Sequence, residues 1–159
     1  MHHIAIMKKS WGLIPKILSG EKTIESRWYQ TRRAPWGKIQ IGDIVYFKNS
    51  GEPIIASAKV SKVLQFSIHQ PSDITHIIAQ YGKQICLIHR NPATWSPKPN
   101  YCILIFLVKA EPVQPFSINK SGFGNAAAWL CVEDVRTIEQ QTFPEGTPLV
   151  CQRSPLWKK

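Results

Sequence analysis

Residues 20–38 read Gly20-Glu21-Lys22-Thr23-Ile24-Glu25-Ser26-Arg27-Trp28-Tyr29-Gln30-Thr31-Arg32-Arg33-Ala34-Pro35-Trp36-Gly37-Lys38. The stretch is polar, basic and aromatic, and it lacks a clean apolar period. It therefore reads as an exposed excursion between two ordinary elements. On its N-terminal side, His3–Met7 suits a first strand. Ser10 can cap a short helix whose Leu13, Ile14, Ile17 and Leu18 share one apolar face. Pro15 fits the first turn of that helix, and Gly20 fits the left-handed position after its last turn. On the other side, Gly42-Asp43 signals a turn before the β-rich run Ile44-Val45-Tyr46-Phe47.

Asn49–Pro53 is turn chemistry. Ile54–Phe66 follows as a strand in which Ala56, Ala58 and Val60 alternate with Ser57, Lys59 and Ser61. Pro71-Ser72-Asp73 starts a helix carrying Ile74, Ile77 and Ile78 and ending near Gly82. Asn91–Asn100, with three prolines, reads as a loop. Tyr101–Val108 is continuously apolar, as in a strand buried on both faces, and Glu111–Ile118 reads as a further strand. Ser121-Gly122-Phe123-Gly124-Asn125 is a Gly-flanked turn. It either brings Phe123 or Asn125 towards a ligand or only precedes a short helix. The proline-rich tail from Thr142 has no period. Strands outnumber two or three short helices, without a regular βαβ series. The expected class is α+β, a mostly antiparallel barrel-like sheet in a single domain over residues 1–159.

The chain has 159 residues, enough to bury about 70% of its unfolded surface around one core. With 43% hydrophobic and 19% charged residues, wholesale disorder is excluded. No apolar run approaches the ~20 residues of a helical membrane span. Cys86, Cys102, Cys131 and Cys151 include no C-x-x-C pair, so no zinc site is expected, and the first three, set in apolar runs, read as small core residues. The N-terminus lacks the pattern of a secretory signal, so a cytoplasmic protein is expected. No metal or cofactor is predicted, and protein partners are unreadable.

The net charge of +10 makes a polyanion the first partner to consider. Residues 1–62 hold eleven basic against four acidic side chains, residues 63–110 four against one, and residues 111–159 five against five. From Arg27 to Lys38 there are four basic and three aromatic residues and no acid. Basic groups meet phosphates, and aromatic faces stack on unpaired bases. The same composition equally fits an ordinary loop, with Trp28 and Tyr29 covering a barrel end and Arg32 and Arg33 in a solvated turn. In an extended segment Glu25 and Arg27 share a side; if Lys22 still lies in a turn, all three converge.

Gly20-Glu21-Lys22-Thr23-Ile24-Glu25-Ser26-Arg27 resembles the G-x-K-x-x-E-x-R signature of the ASCH (activating signal cointegrator homology) domain. The preceding Ile-Leu-Ser-Gly helix end and the following Ile41–Phe47 run fit the same family. The resemblance covers residues 3 to about 110, and Phe123–Val135 is similar to the closing part of some longer members, leaving 120–159 as a variable extension. It implies a PUA-like β-barrel with a cleft beside it for RNA or a nucleotide-like ligand. It would make Lys22, Glu25 and Arg27 cleft residues: Lys22 on a phosphate or as a base, Glu25 accepting from a base edge or orienting Lys22, Arg27 on a phosphate or bracing Glu25. Lys48 would add a second phosphate contact. Trp28, Arg32, Arg33 and Trp36 complete the expected nucleic-acid-binding set.

The resemblance also admits enzymes. One group of the family hydrolyses acetylated cytidine with a Lys, a Thr and a Glu, and other members are described as ribonucleases. In the amidohydrolase group the signature's glutamate position is the threonine nucleophile; here it is Glu25, with Thr23 two residues earlier. If this chain is a hydrolase, the candidates are Lys22, Thr23 and Glu25. No histidine lies in the signature; His69, His76 and His89 are scattered. The third possibility is a protein-interaction domain.

Overall fold

The structure, a computed structural model, describes residues 1–87 and 91–140. The expectations for His89, Cys151 and the tail from Thr142 lie outside the described residues. The chain runs β1 (His2–Met7), α1 (Leu13–Leu18), β2 (Ile24–Tyr29), β3 (Ile44–Asn49), β4 (Ile54–Ser67), α2 (Pro71–Ile85), β5 (Tyr101–Phe116) and β6 (Trp129–Val132). Short 3-10 turns lie at Lys9–Trp11, Pro92–Thr94 and Val135–Ile138. The strands form one six-stranded sheet in the order β2-β5-β4-β3-β1-β6. Only β1 and β3 pair in parallel; the other neighbours are antiparallel.

The sheet curls, and its concave face holds the main core: Ala5 and Met7 of β1, Val45 and Phe47 of β3, Ala56, Ala58 and Val60 of β4, and Ile103 and Ile105 of β5, capped by Ile14 and Ile17 of α1. The alternating residues of the same strands serve the convex face. There Ile4, Ile54 and Leu130 meet Ile118 and Val135, while Ile24, Cys102 and Leu104 meet Ile77 and Ile85 of α2. β5 is apolar on both sides because it is covered on both sides. The fold is α+β, a curled and mostly antiparallel sheet with two helices, as expected.

Six local expectations are corrected. Residues 21–38 are not an exposed excursion: β2 occupies 24–29, and Lys22, Ile24 and Glu25 are buried. Tyr101–Val108 and Glu111–Ile118 are not two strands but largely one 16-residue strand, broken in register near Lys109, which takes a left-handed φ of 52°. α2 passes through Gly82 and ends at Cys86, the left-handed cap. Ser10 lies inside a 3-10 turn, and Gly12 precedes α1 in the cap position. Of the three described cysteines, all free thiols, only Cys102 is a fully buried core residue; Cys86 and Cys131 are half-buried. The Gly122–Gly124 turn leads into β6 rather than a helix, and Phe123 packs on the convex-face core.

Candidate functional site

β2 and β6 are the two outer strands of the sheet, and its curl brings them face to face. Arg27 spans the gap. Its Nη1 donates to the Ala128 carbonyl at 3.2 Å, and its guanidinium carbon lies 5.0 Å from the centre of the Trp129 ring. Side chains, rather than a strand ladder, thus link the two edges at this point. The seam opens into a cavity of about 290 Å³. Its lining comes from the turn before α1 (Trp11), the start of α1 (Leu13), Lys22 and β2 from Glu25 to Tyr29, the end of α2 (Ile85, Cys86, Leu87), Trp95 and Ala128.

Lys22 lies in the turn ahead of β2, so it converges with Glu25 and Arg27. Its ammonium donates to the carbonyls of Ile24 (2.8 Å) and Ile85 (2.7 Å) and sits 3.2 Å from Glu25 Oε2. Three N–H groups facing three oxygens leave little for an external phosphate. Lys22 therefore locks the start of β2 to the end of α2. Glu25 Oε1 lies 3.0 Å from Arg27 Nε. Both contacts are ion pairs by distance, but Glu25 Oε2 and Arg27 Nε find no aligned hydrogen-bond partner. A carboxylate this buried, with 5% of its side chain exposed, ordinarily has its acceptors filled. Here charge holds both oxygens, Oε2 to Lys22 and Oε1 to Arg27, in a residue that also lines the cavity.

Above this charged floor the walls are aromatic: Trp11, Trp28, Tyr29 and Trp95. Trp28 is oriented by donating its indole N–H to Ser26 Oγ at 3.1 Å. Tyr29 donates to the Ala34 carbonyl at 3.1 Å. Burial raises its phenol above the usual value, against the opposing pull of Arg27 and Arg33.

A second layer of residues supports Arg27. Trp129 donates its indole N–H to His3 Nδ1 at 3.1 Å, and His3 Nε2 lies 3.0 Å from Asp43 Oδ2. Indole is a donor only, so Nδ1 must be the acceptor and the ring proton sits on Nε2, facing Asp43. Cys131 Sγ lies 3.3 Å from the same Nδ1. Burial lowers the pKa of His3, outweighing the help of Asp43. Burial alone would raise Asp43, but the Met1 ammonium, the Gln40 N–H and His3 together hold it below the usual value. Burial pushes the Cys131 thiol up.

The structure thus brings Lys22, Glu25, Arg27 and Trp28 into one pocket. Thr23 is exposed and lies outside it, bordering a shallower groove with Leu107 and Lys109. Arg32, Arg33 and Trp36 sit at the adjoining end of the curled sheet. Arg33 stacks on Tyr29, and Arg32 on Trp36 and Tyr101, at 5.2–5.3 Å from each ring centre. Trp36 is half-buried against the concave core. Lys48 does not reach the pocket: it alternates with the inward-facing Phe47 and lies on the convex face. The sequence reading missed Trp11, Trp95, Cys86 and Ala128, which reach the pocket from four separate segments. No group of three metal-ligating side chains is found among the described residues, and no described helix is long and apolar enough to cross a membrane.

No protein-family model matches the chain. No curated protein matches it. Among solved structures, an ASCH protein from Zymomonas mobilis superposes with a TM-score of 0.62 at 14% identity, over 88% of this chain and 96% of that one. A point variant of the same protein gives 0.62 at 16% identity, over 86% and 93%. The curled sheet and its two helices are thus shared with known ASCH structures over most of both chains, and this chain has an ASCH-like fold.

Proposed function

We propose that the pocket takes an unpaired base of RNA, or a nucleotide-like ligand, edge-on to Glu25. The observation that carries this reading is a buried carboxylate, held between Lys22 and Arg27, in the lining of an aromatic-walled cavity. A volume of about 290 Å³ suits a flat heterocycle better than a peptide segment. A base offers π-faces to Trp28, Trp11 or Trp95 and an N–H edge to Glu25. Arg32, Arg33 and Trp36, reached by way of Tyr29, supply a basic and aromatic margin for neighbouring nucleotides. The surplus of positive charge in residues 1–110 favours such a partner.

Binding, rather than hydrolysis, is the reading the geometry supports. Thr23 lies outside the pocket, and the Lys22 ammonium is engaged by two carbonyls and Glu25, so neither is placed as nucleophile or base. The pocket tryptophans report the test. Titration with single-stranded RNA should quench their fluorescence, and duplex RNA should bind more weakly. Trp28→Ala should cost about tenfold or more in affinity, since one base–aromatic stack contributes about 1–3 kcal/mol. Glu25→Gln, which keeps the shape but changes the acceptor, should weaken binding too. Equal binding of duplex, with no effect of Trp28→Ala, overturns the proposal.

A further inference from the structure

β2 ends the sheet on one side, and only β5 pairs with it. In an antiparallel pair the backbone groups of successive residues point alternately towards the partner and away from it. Three bonds fix the phase here. The Thr23 carbonyl accepts the Leu107 N–H at 2.9 Å and the Tyr29 carbonyl accepts the Asn100 N–H at 2.8 Å, so Thr23, Glu25, Arg27 and Tyr29 face β5. The Ile24 carbonyl faces the other way, where the Lys22 ammonium takes it at 2.8 Å. Ser26 and Trp28 follow Ile24 in phase. Their N–H and C=O groups therefore point to the open edge of the sheet, and among the described residues no hydrogen bond takes them there.

The cavity lies against this edge. Its lining includes every residue from Glu25 to Tyr29. Consecutive side chains of a strand point to opposite faces, and here Trp28 packs towards α2 and Tyr29 towards the concave core. One cavity touches both sets only at the margin of the strand, where the backbone itself forms the wall. The side-chain donors nearby are largely spent. Lys22 holds two carbonyls, the Trp28 indole N–H goes to Ser26 Oγ, and the Tyr29 hydroxyl goes to the Ala34 carbonyl. Glu25, as a carboxylate, only accepts. Yet every base sets an acceptor beside a donor on its pairing edge.

We propose that the free edge of β2, through the backbone N–H and C=O groups of Ser26 and Trp28, reads the pairing edge of the bound base. This rests on the proposed function and names the atoms that carry it out. The base continues the sheet, as an added strand does, with Trp28 over one face and Tyr29 over the other. An N–H of the strand serves the base acceptor that Glu25 cannot, and a C=O takes a neighbouring donor. Because the edge offers both kinds of group, it selects for an unpaired base rather than for one base identity. A base in a duplex has already spent that edge.

Amide hydrogen exchange, followed by NMR on the full chain, tests this without a substitution. In the free protein the Ser26 and Trp28 amides should exchange faster than those of Glu25 and Arg27, which β5 protects. Equal protection of all four overturns the premise of an open edge. A uridine hexanucleotide, its binding read by tryptophan fluorescence, should then slow Ser26 or Trp28 or both by about tenfold or more. The same hexanucleotide built from N3-methyluridine keeps its rings and phosphates but blocks the pairing edge. It should bind about tenfold or more weakly, the usual discrimination of one bidentate contact, and leave both amides at their free rates. If the uridine hexanucleotide quenches fluorescence but slows neither amide, or the methylated one binds equally well, the strand-edge inference falls and the pocket reading stands. If neither hexanucleotide binds, both fall. Slowing of the same amides by an alternating Glu-Val hexapeptide would in that case make the edge a strand-addition site for protein.

Discussion

Lys22 shows how a signature residue can be structural before it is anything else. Its side chain is 2% exposed, and its ammonium holds two backbone carbonyls from different elements, with Glu25 alongside. Replacing it with methionine would strand both carbonyls and leave a buried carboxylate facing Arg27 alone. Breaking a buried pair from one side costs about 3–5 kcal/mol, so Lys22→Met should lower the stability read by chemical denaturation by about that much. A loss below about 1 kcal/mol, within the range of an exposed ion pair, would show that the lock is not what Lys22 does. The consequence for function is practical: loss of ligand affinity in a Lys22 variant is not by itself evidence of a phosphate contact. Trp28→Ala leaves both the Lys22–carbonyl bonds and the Glu25 ion pairs in place and is the cleaner probe.

At the scale of elements, α2 ends on a strained residue. Cys86 caps it at φ 59°, ψ 51°, a region costly for side chains other than glycine. Among the described residues its thiol makes long contacts to the Glu21 and Lys83 carbonyls. Cys86→Gly should therefore raise the thermal midpoint, with a gain of about 0.5–1 kcal/mol, and Cys86→Val, β-branched in the same backbone, should lower it by at least about 1 kcal/mol. The opposite order would mean that the thiol contacts outweigh the strain. The cap also shows why the helix end was misread: Gly82 is the usual stop signal, yet the apolar face continues to Ile85, which packs on Ile24 and Leu104. β4 was legible because its alternation is a hydrophobic one, and β1 and β3 because their runs are apolar or rich in β-formers. β2 was not, because its inward residues at the seam are Glu25 and Arg27, and a pattern built on apolarity reads a polar interior as surface. The signature residues of the site could be found in one short stretch. Trp11, Trp95 and Ala128 could not, since only the fold draws their separate segments to one opening.

At the scale of the whole molecule, the seam between the sheet's two edges is braced by a chain of contacts: Glu25 to Arg27, Arg27 over Trp129, Trp129 to His3, and His3 to Asp43. The chain works only with His3 neutral, because a proton on Nδ1 would face the Trp129 N–H donor to donor. The folded-state pKa of His3 accordingly lies below its ordinary value of 6.5, with burial the main cause and the Met1 ammonium and His2 adding to it against the pull of Asp43. The sign follows. Below about pH 6.5 the unfolded chain takes up a proton that the folded chain refuses, so folding stability falls with pH until the lowered folded pKa is reached. Asp43 acts in a lower window. Its folded pKa is below 3.8, so the stability it contributes is present above that value and is lost as pH falls through the folded pKa. Denaturation midpoints for the wild type should therefore decline on going from pH 7.5 towards 5. His3→Gln, which can still accept from Trp129 and donate to Asp43 but cannot titrate, should start from a lower stability and show a shallower decline over the same interval. Parallel declines in the two proteins would place the acid sensitivity elsewhere. A shallower decline with ligand affinity also held at pH 5 would tie the neutrality of His3 to the geometry of Arg27 in the pocket.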